Sequence, residues 1–243
     1  MSISPLGLTR ASAVCAIAAG VLFMGVQIGH PMLNTTSIQS TNVYIRDQIK
    51  ILMSVLALVG ITGMYLSQVR RNGVLGLIGY VLLAAGFLGI MSVVFLAAYV
   101  MPEVVKSNPG FVHDVIAVDT ARGSVNGDPG AIQTVIKMQG FAYLLGGLIF
   151  GIALFRAHVL ARWACVLLAV GGLASVVLTY MPDAFYRVLA FPTAIALIGL
   201  GWSLWKVTGT NSASDTAAAT IPAARQASDG AAIATPAPTL RSS

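Results

Sequence analysis

Charge is what this sequence lacks most: Asp, Glu, Lys and Arg make up 9% of 243 residues, while 57% are hydrophobic. An ordinary soluble domain carries roughly 25% charged residues, so most of this surface has to face lipid. Cysteine is nearly absent. Cys15 and Cys165 lie inside apolar runs and belong to no Cys-x-x-Cys or Cys/His cluster, so they read as small core residues rather than a disulfide, redox pair or metal centre. His30, His113 and His158 all fall outside the apolar runs, which leaves a haem between helices without ligands. No Asp, Glu, Lys, Arg or His occupies the central half of any apolar run. Intramembrane ionisable groups mark proton relays and ion paths, so a proton-coupled pump and a charge-selective channel are disfavoured. A Walker loop and a Gly-x-Ser-x-Gly elbow are missing too. On these grounds no cofactor, metal ligand or catalytic residue is assigned.

The net charge of +6 does not point to nucleic acid. The basic residues are scattered, form no stripe and interleave with no aromatic platform; they sit at the ends of apolar runs, where Lys and Arg snorkel to a membrane surface. Membrane lipid is therefore the expected partner, and protein partners stay open.

What the chain does have is apolar length. Ile49–Val69 and Val74–Met101 are each near or beyond the roughly 20 residues that cross a bilayer. Between them, Arg70-Arg71-Asn72-Gly73 reads as a four-residue basic turn, with Asn72-Gly73 making the reversal. Around this hairpin the other runs predict spans at about 11–29, 138–155, 160–180 and 188–205, giving an all-α bundle of six membrane-spanning helices over residues 1–206. The first is read as an uncleaved helix, since His30-Pro31-Met32 follows it with no small-x-small cleavage site. Ile132–Ile136 can extend the fourth span, and Pro192 predicts a kink or a late start in the sixth. Residues 207–243, rich in Ala, Thr, Ser and Pro, predict a disordered tail.

The connections are polar. Residues 30–48 are rich in Thr, Ser and Asn, and Asn34-Thr35-Thr36 reads as a chance glycosylation triplet. Residues 102–137 form the longest internal connection, with turn signals at Asn108-Pro109-Gly110 and Asn126–Gly130. Between them Phe111, Val112, Val115, Ile116 and Val118 share one side at helical spacing, predicting a short surface helix.

An even number of spans puts both termini on one face. Arg10, Arg70, Arg71, Arg156, Arg162 and Lys206 fall there, all in short segments, against Arg46, Lys50, Lys106, Arg122, Lys137 and Arg187 opposite. The Lys/Arg count ties at six each before the tail, and the compact Arg70-Arg71 and Arg156/Arg162 turns favour cytoplasmic termini. Ile49-Lys50 and Ile136-Lys137 open two hairpins that Met101-Pro102-Glu103 and Met181-Pro182-Asp183 close, the outline of a parallel duplication. Glycine pairs such as Gly147-x-x-x-Gly151 predict close helix contacts. Trp163, Trp202 and Trp205 fall at span boundaries as interface anchors.

Gly29-His30-Pro31 at the end of the first run, the Thr-rich connection and the GMYLSQVRRNGVLGLIGYVLLAAG hairpin from Gly63 to Gly86 resemble six-span bacterial membrane proteins without assigned activity. The resemblance covers about residues 8–206 and implies no defined activity; a bacterial plasma membrane is the expected location. The resemblance transfers no site residue.

Three functions fit this inventory. The first is a structural or accessory membrane component. The second is a permease for a neutral or lipophilic solute, which requires Thr62, Tyr65, Gln139 and Tyr143 to line one cavity. The third is a membrane-surface enzyme working through residues 102–137, which requires His113 in reach of an acidic side chain, Asp114, Glu103, Asp119 or Asp128, beneath an open cleft.

Overall fold

The computed structural model describes residues 4–178 and 190–209, and those residues are helical with no strand among them. Four helices are long and apolar enough to cross a membrane: α1 (Pro5–Gln27), α2 (Thr41–Leu66), α3 (Val69–Tyr99) and α6 (Ala131–Ala157). Two short helices, α4 (Met101–Ser107) and α5 (Pro109–Thr120), fill the long connection. The chain continues with α7 (Arg162–Leu178) and with α8, residues 191–209. Met181-Pro182-Asp183, half of the proposed duplication, lies outside the described residues, as does the tail from residue 210.

The helices begin earlier than hydropathy predicts because polar caps start them. Ser4 accepts a hydrogen bond from the Gly7 amide at 3.1 Å, and Pro5 sits at the first helical position. Ser40 caps α2 through the Val43 amide at 3.3 Å, so the helix starts about two turns before the expected Ile49. The Arg70-Arg71-Asn72-Gly73 turn is a correction. The reversal falls at Ser67-Gln68, Val69–Asn72 is one helical turn, and the break before the long part of α3 is Gly73, with φ 55° and ψ −157°. A single glycine in a conformation closed to other residues divides what the dipeptide was expected to turn. Pro192 produces the late start, because α8 begins at residue 191 and the proline lies in its first turn, where no amide partner is lost.

Each long helix runs antiparallel to its neighbours in a closed ring of order α1–α2–α3–α6–α7–α8. Glycine sets the spacing. A Cβ on Gly60 would meet Ala16 Cα at 2.9 Å, one on Gly86 would meet Tyr143 Cα at 2.6 Å, and one on Gly151 would meet the Cys165 carbonyl at 2.7 Å. The ring closes where Gly20 lies against Ala194 and Gly201 against the Ala13 carbonyl. Its interior is filled by Ile61, Met64, Leu83, Phe87, Phe150, Leu154, Leu168, Leu197 and Leu200, all essentially without solvent contact. Ser203 on α8 reaches across to the residue before α7, its Oγ accepting the Ala161 amide at 2.9 Å.

The end of the ring with the α2–α3 and α6–α7 reversals carries Arg10, Arg70, Arg71, Arg156, Arg162 and Lys206, while Arg46, Lys50, Lys106, Arg122 and Lys137 fall toward the opposite end. Arg10 stacks over Trp205, Lys206 over Trp202 and Arg162 over Phe155, at 5.6, 5.5 and 4.4 Å. Trp163, Trp202 and Trp205 are all exposed there, as interface anchors should be.

The opposite end carries a cap. Pro102 ends the long run of α3 and opens α4 instead, and Asn108 with Pro109 opens α5, the Asn108 side chain accepting the Phe111 amide at 3.1 Å. The expected apolar side of α5 is present: Val112, Val115 and Ile116 are buried, with Phe111 and Val118 half-buried around them. They join Val93, Ala97, Met101, Val105, Ile136 and Ile38 in a second core above the ring. Asn34 is part of the turn beneath it, its Oδ1 accepting the Thr36 and Ser37 amides at 3.0 and 2.8 Å.

Arg46 ties α1 to α2 at this end. Its guanidinium donates to the Val26 and Ile28 carbonyls at 2.8 and 3.0 Å and to Asn42 Oδ1 at 2.7 Å. A cation thereby satisfies carbonyls at the α1 C-terminus that have no helical partner. Arg46→Ala is expected to lower stability by about 1–2 kcal/mol, read as a drop in the thermal midpoint. Arg46→Lys should recover only part, lacking the planar fork.

Candidate functional site

A cavity of about 440 Å³ opens between the cap and the α1–α2 end of the ring. Gln27 at the end of α1 and the 30–35 connection form one wall, Lys50 of α2 contributes another, and α5 closes the third. The α5 positions are His113, Ile116, Ala117 and Thr120, spaced three and four apart on one face of the helix. Asp119 and Arg122 complete that wall.

Sequence hydropathy treated Lys50 as the edge of a span. With α2 starting at Ser40 it sits in the third turn, where Lys50 Nζ lies 2.9 Å from Asp47 Oδ1 across one helical turn. Asp47 is 2% exposed, and its other carboxylate oxygen has no hydrogen-bond partner. Asp119 reaches solvent through the cavity. The surrounding protein nonetheless raises its carboxyl above the usual range; Lys50 pulls it back and Asp47 pushes it further up.

A second, shallower cavity of about 470 Å³ lies on the other side of α5, lined by Asn108, Phe111, His113, Asp114, Asn126 and Asp128. His113 borders both. Its Nδ1 lies 3.2 Å from Asp114 Oδ1, so the acidic partner required by the enzyme reading is in place. Asp114, however, is engaged elsewhere. It accepts the Asn126 amide at 3.0 Å and the Gly127 amide at 2.7 Å. Those bonds, the Asn126 amide first and then the His113 ring, hold its carboxyl below the usual range. Asp114 therefore clamps the 121–130 loop to α5, and its orientation of His113 comes second.

The remaining candidates disperse. Glu103 is exposed and paired with Lys106 at 2.8 Å, and Asp128 accepts the Gly130 amide at 2.7 Å in its own turn. Among the described residues no group of three or more His, Cys, Asp or Glu side chains is placed to hold a metal ion. The four residues named for a permease do not meet around a cavity. Thr62 Oγ1 is 3.0 Å from Tyr80 Oη, Tyr65 stacks on Tyr80 at 4.8 Å, and Tyr143 packs edge-on against Phe87 at 5.5 Å. Gln139 lies against Gly89 at the α3–α6 contact. None of the four borders either cavity.

The sequence singled out His113 and Asp119 but not Gln27, His30 or Lys50 as their neighbours. One usable signal was present: Ser40 as a helix cap puts Asp47 and Lys50 three apart on one helix face. Their approach to α5 had no local signal.

Four helices long and apolar enough to cross a membrane, joined in a glycine-spaced ring under a helical cap, are the features of an all-helical membrane protein. The chain matches no protein-family model, no curated protein and no solved structure, so any activity has to be argued from the cavity itself.

Proposed function

We propose that this chain is a six-span protein of the bacterial plasma membrane, with cytoplasmic termini, that holds a small, partly apolar solute beneath its cap. It is an accessory, solute-associated component and not a permease with a path along the ring axis. The observation that carries this reading is the placement of open space: the ring interior is filled with large side chains, while the 440 Å³ cavity lies between the cap and the 30–35 connection. That volume falls in the roughly 300–1,000 Å³ range of small-ligand sites. The antiparallel packing of α7 and α8 against the four longer helices supports six spans. The Trp-lined end, with Arg10 and Lys206 stacked on its rings and Arg70-Arg71 beside a short reversal, supports a cytoplasmic assignment for the reversals near Ser67-Gln68 and His158.

Cysteine labelling tests the topology. In a background with Cys15→Ala and Cys165→Ala, a membrane-impermeant maleimide should label Asn126→Cys in intact cells and label Arg71→Cys and His158→Cys only after lysis. Labelling of Arg71→Cys and His158→Cys from opposite sides would overturn the ring as a spanning bundle, and a terminal tag on the Asn126 side would remove α7 or α8 as a span.

A further inference from the structure

The α2–α3 reversal, at the end of the ring away from the cap, buries polar groups and leaves its apolar one outside. Asn72 donates its amide to the Gln68 carbonyl at 3.0 Å, so the two carboxamides stand one helical turn apart on the same face. That face is enclosed. Gln68 and Asn72 are 4% and 5% exposed, and Gln68 Nε2 and Oε1 and Asn72 Nδ2 and Oδ1 have no hydrogen-bond partner among the described residues. The Asn72 side chain lies against Gly76, one turn further along α3. An enclosed carboxamide that makes none of its hydrogen bonds opposes the arrangement that encloses it. Nothing apolar on the turn offsets this, because Val69 is 42% exposed and Arg70 and Arg71 are exposed beside it. The segment ends at Gly73, whose φ of 55° and ψ of −157° are open to glycine, and no atom lies within 4 Å of where a Cβ would be. The backbone is unpacked there.

We propose that residues 68–72 form a hinged plug: pivoting at Gly73, the turn swings out of the end of the ring and carries the Gln68 and Asn72 carboxamides into water. The open arrangement gains hydrogen bonds for four polar atoms and gives up no buried apolar side chain of the turn. Closure depends on the chain connections at either side and on close packing at Gly76, which is the balance a two-state element needs. Ser67 stays with α2, its Oγ donating to the Met64 carbonyl at 2.9 Å, so the movement is confined to Gln68–Gly73. Opening wets only the last turn of the ring, because Ile61, Leu83 and Phe87 fill the interior beyond it. The plug is therefore a gate at the opposite end from the cap cavity and makes no path between the two. It does not depend on the solute-binding reading and stands if that reading fails.

Thiol labelling reads the movement. The full chain with Cys15→Ala and Cys165→Ala is placed in lipid vesicles open to reagent on both faces, and Asn72→Cys and Ala57→Cys are each treated with a charged methanethiosulfonate. Ala57 is buried midway along α2, so its labelling reports opening of the whole bundle. Asn72→Cys should label roughly tenfold faster than Ala57→Cys or more. Gly73→Ala strains the closed turn and should speed Asn72→Cys labelling roughly five- to hundredfold. Gln68→Leu replaces an orphaned carboxamide with an apolar group and should slow it roughly tenfold. Asn72→Cys labelling no faster than Ala57→Cys overturns the plug, as does labelling that Gly73→Ala leaves unchanged. A lower thermal midpoint in Gln68→Leu overturns it too, since the carboxamide would then be satisfied inside the closed ring.

Discussion

Gly146→Ala is expected to destabilise the bundle by about 3 kcal/mol, the upper end of what overpacking costs. A Cβ at this position would lie 2.5 Å from Leu83 Cα and 2.7 Å from the Leu82 carbonyl carbon. Both are backbone atoms of α3, so no rotamer change relieves the clash and the two helices have to separate. Separation is costly here for a reason particular to membranes. Lipid tails are as apolar as leucine, so association depends on close packing and not on withdrawal from water. Gly79 against Phe150 and Gly86 against Tyr143 belong to the same seam, and one displaced contact loosens the others. Gly140, also on α6, has nothing within 4 Å. Gly140→Ala should therefore stabilise by about 0.5–1 kcal/mol through helix propensity alone. Unfolding in mixed micelles with increasing dodecyl sulfate separates the two, and a Gly146→Ala protein as stable as the Gly140→Ala protein would refute the close seam.

Asp114→Ala is expected to release the 121–130 loop while leaving the ring folded. The substitution strands the Asn126 and Gly127 amides and removes the partner of His113. Amide exchange at residues 126 and 127 should accelerate roughly tenfold or more, with α3 and α6 unchanged. Gly127→Ala should loosen the same loop more mildly, since its Cβ would fall 2.9 Å from Asp114 Oδ2. Acid has the corresponding effect. Because the Asp114 carboxyl is held below its ordinary value of 3.8, its contribution to loop stability is complete above that value and is lost as pH falls through the lower folded-state value. Asp119 has the opposite sign. Its raised carboxyl favours the folded state below 3.8, and that contribution disappears as pH rises through the folded-state value. Loop exchange that stays constant through the acid range would remove the clamp assigned to Asp114.

The two sides of α5 show how far local pattern reaches. The spacing of Val112, Val115 and Ile116 is a property of consecutive residues, so the helix and its buried side follow from sequence. The caps at Ser4 and Ser40 were legible in principle, but apolar run length overshadowed them and the predicted helix starts came late. The Asn72-Gly73 turn failed for a different reason. A turn-prone dipeptide is a local preference, and packing of α2 on α3 moved the reversal to Ser67-Gln68 while the glycine took the break. For the permease residues, four polar side chains in apolar helices carried no information about which would meet. Tyr80 supplies a partner to both Thr62 and Tyr65, and the space between them is filled.

By itself the sequence determined the solvent, the helical class and the position of the cap. Those follow from composition, from apolar lengths set against bilayer thickness and from a 3.6-residue period, and each is a sum over neighbours in the chain. Only the tertiary structure decided where space and charge remain. Lys50 and Asp119 are far apart in sequence, on helices that the sequence treats as a membrane span and a surface segment. They share a cavity because the cap core seats α5 above the start of α2, and a cavity wall drawn from both helices exists only once they have been packed together.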